Sequence, residues 1–372
     1  MDLYTCSTPY QLMNAVILAS QRQVKADVIL TNNNLVQICN IEALEKKKIF
    51  HQIYAWDEIS DKFSNFSHSR SQYVLSLLKK ISIYFRTKKL CDNIPNRDMV
   101  YRNVFIGYAA YPDQCIYYYF KKKGASLIFY DEGTYTYEFL SVRPSFIRKA
   151  VSYIIFGSLI ADECRGVYAR RPGQVNCGKY RGIPVKQIDK SSDEMDVFLM
   201  ELFCGSYEDI SLFARNVLFF DQNIERPEIR RMHSELADIA AGIVGKDNML
   251  VKLHPQSGGG MLYSSELTTY CSKIPFEIML NACHAGGKVL ISMFSTACFS
   301  PKYILDEEPY IIFLYKIMKF DTYIEFNAQF LHGVESLKRC YQQPDRVMIP
   351  ETVDELKEKL RMIGDAEGWG AL

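Results

Sequence analysis

The sequence predicts an α/β protein built of two doubly wound domains, and three observations carry that prediction. Short apolar runs alternate with longer amphipathic segments in both halves, the pattern of βαβ units on a parallel sheet. Several of these runs stop at chemically active residues: 126–130 at Asp131-Glu132-Gly133, 248–253 at His254-Pro255, and 288–292 just before Phe294-Ser295-Thr296. In open α/β sheets ligands gather beyond the carboxyl ends of strands. A polar stretch at 186–194 separates two series of alternation, placing the domains at 1–190 and 191–372, facing a central ligand cleft.

The elements follow in order. Residues 3–6 form a short strand, and Ser7-Thr8-Pro9 then opens a helix, with a hydroxyl cap and proline in the first turn. Strands are expected at 26–30, 51–56, 100–106 and 126–130, and helices at 69–90, 113–122 and 144–156. In the second half strands are expected at 216–220, 248–253, 288–292 and 309–314. Helices are expected there at 227–244, 296–305 and 353–362. No internal repeat of short period is visible.

Composition narrows the classes. The 372 residues are 48% hydrophobic and 23% charged, an ordinary globular balance with apolar material for sizeable cores. A net charge of +1 argues against a protein built mainly to bind nucleic acid. Eleven widely spaced cysteines without a Cys-x-x-Cys pair fit reduced thiols in a cytoplasm better than a disulfide framework or a zinc site. The opening Met1-Asp2-Leu3-Tyr4 has no basic-then-apolar signal pattern, and no apolar run is long enough to span a bilayer.

The candidate chemistry lies at the strand ends. A positioned, partly desolvated Asp131 can take a proton from a hydroxyl; the plain alternative is an exposed loop carboxylate or a helix cap. Lys252 stands two residues before His254, on the same strand face, and such a pair holds an anion such as phosphate. Ser295 and Thr296 open a turn whose amides and hydroxyls suit a phosphate, or serve only as a cap. Glu277 can accept hydrogen bonds from ribose hydroxyls, or stand at the surface. Ser257-Gly258-Gly259-Gly260 lacks the lysine-serine ending of a P-loop and reads as a mobile loop. The basic and apolar mixture at 77–81 and 86–89 reads as a solvated helix face or as weak adhesion to an anionic membrane.

Taken together these pieces resemble the bacterial sialyltransferases of glycosyltransferase family 52. The resemblance rests on Cys6-Ser7-Thr8-Pro9-Tyr10-Gln11-Leu12-Met13-Asn14-Ala15, Asp131-Glu132-Gly133, Phe219-Phe220-Asp221-Gln222, Lys252-Leu253-His254-Pro255 and Phe294-Ser295-Thr296, in that order. It implies a GT-B fold of two Rossmann-like domains and an inverting single displacement. The donor would be CMP-sialic acid and the acceptor a galactose-ended glycan of a bacterial surface, lipooligosaccharide or capsule. No metal or other cofactor is implied. Asp131 would be the general base and His254 would assist CMP departure. Lys252, His254, Pro255, Gln222, Ser295 and Thr296 would hold the CMP and Glu277 its ribose. Thr8, Gln11, Glu132 and Gly133 would line the sugar and acceptor side. A threonine at 296, where some related enzymes carry a second serine, is a departure from the family's pattern.

Two rival readings stand beside this one: a GT-B transferase using another cytidine-activated donor, such as Kdo or glycerol phosphate, and a non-catalytic sugar-binding protein of the same fold. The α2,3 or α2,6 linkage, the acceptor and a homodimeric state are left open by the sequence. The expected place is the cytoplasm, with peripheral contact at the inner face of the plasma membrane as an extension.

Overall fold

A computed structural model describes residues 1–56, 70–95, 101–142, 144–224, 226–254, 263–271, 274–319 and 328–369. The chain divides into two compact units, Met1–Cys204 and Gly205–Leu372.

The first unit begins with β1 (Asp2–Cys6), α1 (Pro9–Arg22), β2 (Ala26–Leu30), α2 (Asn33–Ile38), α3 (Ile41–Lys47) and β3 (Gln52–Ala55). It continues with α4 (Arg70–Asp92), β4 (Asn103–Ile106), α5 (Tyr111–Lys121), β5 (Ser126–Tyr130), α6 (Thr134–Glu138) and α7 (Phe146–Phe156). It closes with β6 (Cys164–Ala169), β7 (Val185–Gln187) and α8 (Asp193–Leu202). The seven strands form one parallel sheet in the order β3-β2-β1-β4-β5-β6-β7. Every residue of β1 and β2 is buried. Cover on both faces is why these strands read as apolar runs rather than as alternation.

The second unit holds α9 (Tyr207–Phe213), β8 (Val217–Phe220), α10 (Pro227–Val244), β9 (Met249–Lys252), β10 (Thr269–Tyr270) and α11 (Phe276–Cys283). It ends with β11 (Val289–Ser292), β12 (Tyr310–Phe313), α12 (Ala328–Cys340), β13 (Val347–Met348) and α13 (Val353–Glu367). Its sheet is also parallel, in the order β10-β9-β8-β11-β12-β13. Strands β8, β9 and β11 are buried throughout, and α10 packs on α13.

Three expectations are corrected. The stretch at 186–194 is not a linker, and the boundary is at 204/205 rather than 190/191. Val185–Gln187 joins the first sheet, and α8 packs on α3: Asn40 N donates to Leu202 O at 2.7 Å, and Lys47 pairs with Glu194 at 2.6 Å. The second unit starts instead with a capping box, in which Ser206 and Asp209 exchange hydrogen bonds across the first turn of α9. The expected helix at 296–305 is a 3-10 turn, Thr296–Phe299, followed by a π-helical turn, Pro301–Leu305. Pro301 has no N–H for a helical bond, and its ring forbids a continuous α-helix. Finally, β6 was not expected, because Arg165 and Gly166 interrupt its apolar pattern; its pairing with β5 shifts register between Leu127 and Ile128. The glycine-rich stretch at 257–260 and Pro255 lie outside the described residues.

Candidate active site on two strand edges

In the first unit, the end of β5 and the start of α1 come together. Thr8 caps α1, its hydroxyl accepting from Gln11 N at 3.2 Å. That cap aims the first turn at the acidic pair. Tyr10 Oη donates to Asp131 Oδ1 at 3.3 Å, and Asn14 Nδ2 donates to the Asp131 carbonyl at 3.1 Å. Gln11 accepts from Ser7 N and Ser7 Oγ through Oε1. Its buried Nε2 has no partner within hydrogen-bonding distance among the described residues, and it faces the Glu132 carboxyl, whose pKa it pulls down. Thr8, Gln11, Asp131, Glu132 and Gly133 therefore share one neighbourhood.

The two carboxylates differ sharply. Asp131 is 0% exposed, and its oxygens accept from Tyr137 Oη (2.5 Å), Arg170 N (2.8 Å), Gly133 N (2.9 Å) and Tyr10 Oη. Glu132 is half-buried, and burial together with the adjacent Asp131 charge pushes its carboxyl up to about 8. Beneath them Asp113, buried in the first turn of α5, is also raised by burial, to about 7. Gly133 has φ 91° and ψ −148°, a backbone region that glycine alone occupies at ease, and this turn presents its N–H to Asp131. The sequence reading missed Tyr10, Asn14, Tyr137 and Arg170. Arg170, just past β6, grips Asn14 Oδ1 through Nε and Nη2 and the Asp189 carbonyl through Nη1. The available signal was Asn14, a polar residue in the apolar run of α1.

In the second unit, three adjacent strands, β9, β8 and β11, deliver the remaining candidates to one sheet edge. Neighbouring strands lie about 4.8 Å apart, so the ends of β9 and β11 stand roughly 10 Å from each other across β8. Lys252 is buried on β9, and its ammonium pKa is lowered by burial, with Glu277 opposing the shift. His254 is half-buried; burial lowers its pKa, Asp221 opposes this and Lys252 adds to it, so the imidazole is neutral near pH 7. Ser295 N donates to Ser292 Oγ at 2.8 Å, and Ser295 Oγ accepts from Ala297 N at 3.3 Å. That capping bond uses a lone pair and leaves the hydroxyl proton for another acceptor. Thr296 beside it is exposed.

Two expected donor residues have other partners. Glu277, in the first turn of α11, accepts from Ser300 Oγ at 3.0 Å and faces Lys252. Gln222 is buried, with Nε2 donating to the Asp221 carbonyl at 3.3 Å. The residue that organises this edge is Asp221, which accepts from Tyr263 Oη at 2.6 Å and from His254 N at 3.2 Å. His233, 1% exposed, bonds Tyr263 Oη through Nδ1 and has its pKa pushed down to about 4 by burial. Among the described residues no group of three or more histidine, cysteine, aspartate or glutamate side chains is placed to hold a metal ion.

No protein-family model and no curated protein matches the chain. Solved structures do match over nearly its whole length. UGT89C1 of Arabidopsis thaliana, solved with UDP, superposes with a TM-score of 0.59 at 9% identity, covering 98% of this chain and 91% of that one. The fold is GT-B. The calicheamicin glycosyltransferase CalG4 matches with a TM-score of 0.51 at 10% identity, covering 99% of this chain and 94% of its own. LpCGTa, solved with UDP, gives a TM-score of 0.52 at 8% identity, covering 99% and 92%. At these identities the likeness is one of fold, and the GT-B architecture is what it establishes for this chain.

Proposed function

We propose that this GT-B protein is a glycosyltransferase that moves sialic acid from CMP-sialic acid to a galactose-ended acceptor with inversion and without a divalent cation. The observation that carries the reading is the second unit's sheet edge. A buried lysine, a neutral imidazole and a capping serine with a free hydroxyl proton stand at the ends of β9 and β11, the two strands that flank β8. A phosphate above β8 would be met by Lys252 and His254 on one side and by Ser295 and Thr296 on the other. Arrival of that phosphodiester anion raises the imidazole pKa, so His254 holds a proton to give to the phosphate oxygen that gains charge as the bond to the sugar breaks. Glu277 sits beside Lys252, within the same group, for the ribose. The resemblance to family 52 supplies the choice of a cytidine monophosphate donor.

The first unit supplies the acceptor side. The acceptor hydroxyl loses its proton to the acidic pair. The sequence assigns that task to Asp131; the enclosure of Asp131 by four donors favours Glu132 as the carboxylate that meets the acceptor, with Asp131 holding the turn in place. This proposal is tested by calorimetry with CMP and by NMR of products from CMP-sialic acid and lactose. His254→Ala should weaken CMP binding and lower turnover together, because the imidazole contacts phosphate in ground and transition states alike. Unchanged CMP affinity in that variant would remove the second-unit edge as the phosphate site. A second reading, a UDP-sugar donor, is favoured by the UDP bound in two of the matched structures. Tighter binding of UDP than of CMP would select it.

A further inference from the structure

The outer surface of the first unit carries a face that the transfer chemistry does not use. Among the described residues, five of the twelve large apolar side chains that stand exposed belong to α4 and α7: Ile81 (41%), Phe85 (62%), Phe146 (85%), Tyr153 (52%) and Ile154 (83%). Their spacing is not scattered. On α4, Ile81, Phe85, Lys88 and Lys89 fall at i, i+4, i+7 and i+8, one helical face. On α7, Phe146, Tyr153 and Ile154 fall at i, i+7 and i+8. Both helices rest on α5. Phe156 of α7 stacks on Tyr118 of α5 at 4.3 Å between centroids and touches Tyr84 of α4 at 6.4 Å, while the Lys80 ammonium lies over the Tyr111 ring. The two helices that carry these exposed side chains thus share α5 as a common floor.

The charge of these helices is as uneven as their exposure. Across α4 and α7 there are eight lysines and arginines against one acid, Asp92 at the end of α4, in a chain whose net charge is +1. Lys79, Arg86, Lys88, Lys89 and Lys149 are all exposed. Apolar side chains rimmed by cations are the composition of a surface that lies in a lipid headgroup layer.

We propose that the outward face of α4 and α7 docks on an anionic lipid bilayer. Phe85, Phe146, Tyr153 and Ile154 enter the headgroup region, and the surrounding lysines and arginines meet lipid phosphates. Neither contribution suffices alone: a few apolar side chains give weak insertion, and surface cations give attraction that salt screens within about 10 Å. Together they confer a binding that requires anionic lipid and falls with ionic strength. The inference is independent of which donor sugar the protein uses.

The test is sedimentation of the full chain with vesicles of phosphatidylcholine alone and of phosphatidylcholine with phosphatidylglycerol, at low and high salt. The wild type should pellet with the anionic vesicles only, and less at high salt. Lys88→Glu/Lys89→Glu and Phe146→Ser/Ile154→Ser should each weaken that binding by roughly tenfold or more. Val197→Ser, at an apolar position 71% exposed on α8, should leave it unchanged. All these positions are exposed, so circular dichroism should report an intact fold. A wild type that ignores anionic vesicles overturns the proposal, as does full binding by Phe146→Ser/Ile154→Ser. If size-exclusion shows a wild-type dimer that Phe146→Ser/Ile154→Ser turns into a monomer, the face belongs to a second copy of the chain and the lipid assignment fails.

Discussion

Adjacent carboxylates with opposite surroundings set the residue-scale expectations. Asp131 has every approach taken by hydroxyls and main-chain amides, whereas Glu132 has an unpartnered amide nitrogen before it and an open side. Glu132→Gln should leave CMP affinity intact and lower turnover by about 100-fold, the usual scale for losing a general base. Asp131→Asn should cost stability as well, because its new amide faces groups that already donate; an unmatched buried donor costs about 1–3 kcal/mol. Melting curves beside rates separate the two, and a stable Asp131→Asn variant that loses turnover while Glu132→Gln keeps it would return the base to Asp131. The pH dependence has a definite sign. A carboxyl raised to about 8 takes protons only once ionised, so the rate should climb with pH through about 8, and that limb should vanish in Glu132→Gln. The folded protein also holds this proton more tightly than the unfolded chain. Its contribution to stability is therefore full below the ordinary value of 4.5 and lost as pH rises through about 8. The strand-end carboxylates were legible in the sequence because a strand that stops on two acids is unusual. Asn14, Tyr137 and Arg170 were not, since each reaches Asp131 or its tether from a different element and only the fold brings them together.

At the scale of elements, the turn after β5 is where backbone and chemistry meet. A Cβ added at Gly133 would touch nothing within 4 Å, so Gly133→Ala has no steric clash, yet the residue sits at φ 91°. The expected cost is backbone strain alone, about 1–3 kcal/mol, with a loss of turnover as the amide swings away from Asp131. Denaturant midpoints and rates measured together check this; unchanged values for both would mean that the turn carries no constraint. Long, strongly patterned elements were legible with small end errors: α10 runs Pro227–Val244 as its proline start and apolar spacing indicate, and β5 is Ser126–Tyr130 as read. Elements of two or three residues, such as β7, β10 and β13, were not, because so few side chains give no period and tertiary pairing alone defines them. The turn at Ser295 was misread in kind: its cap is real, but Pro301 stops an α-helix from following.

For the whole molecule, the corrected boundary predicts how the chain can be cut. Helix α8 buries Met195, Phe198, Leu199 and Leu202, and its salt bridge and main-chain bond tie it to α3. A fragment ending at residue 204 should therefore melt cooperatively, while one ending at 190 should lose on the order of 5 kcal/mol, from several large side chains left without cover at about 1.5–3 kcal/mol each. Equal melting temperatures for the two fragments would assign α8 elsewhere. Two-domain α/β organisation was legible because alternation restarts in the second half; the border was not, because a polar surface on an edge strand and a helix cap reads like a linker. The order of the first sheet has a further consequence for synthesis. An interior strand, β1, leaves the ribosome before the other strands of the sheet, but its partner β4 begins at Asn103. At about 5–20 residues per second, the wait is roughly 5–20 s. No hairpin can shorten it, because parallel neighbours need a crossover. For that interval one buried edge of the nascent chain is without its neighbour, and holding chaperones, rather than the finished fold, must keep it from pairing with another chain.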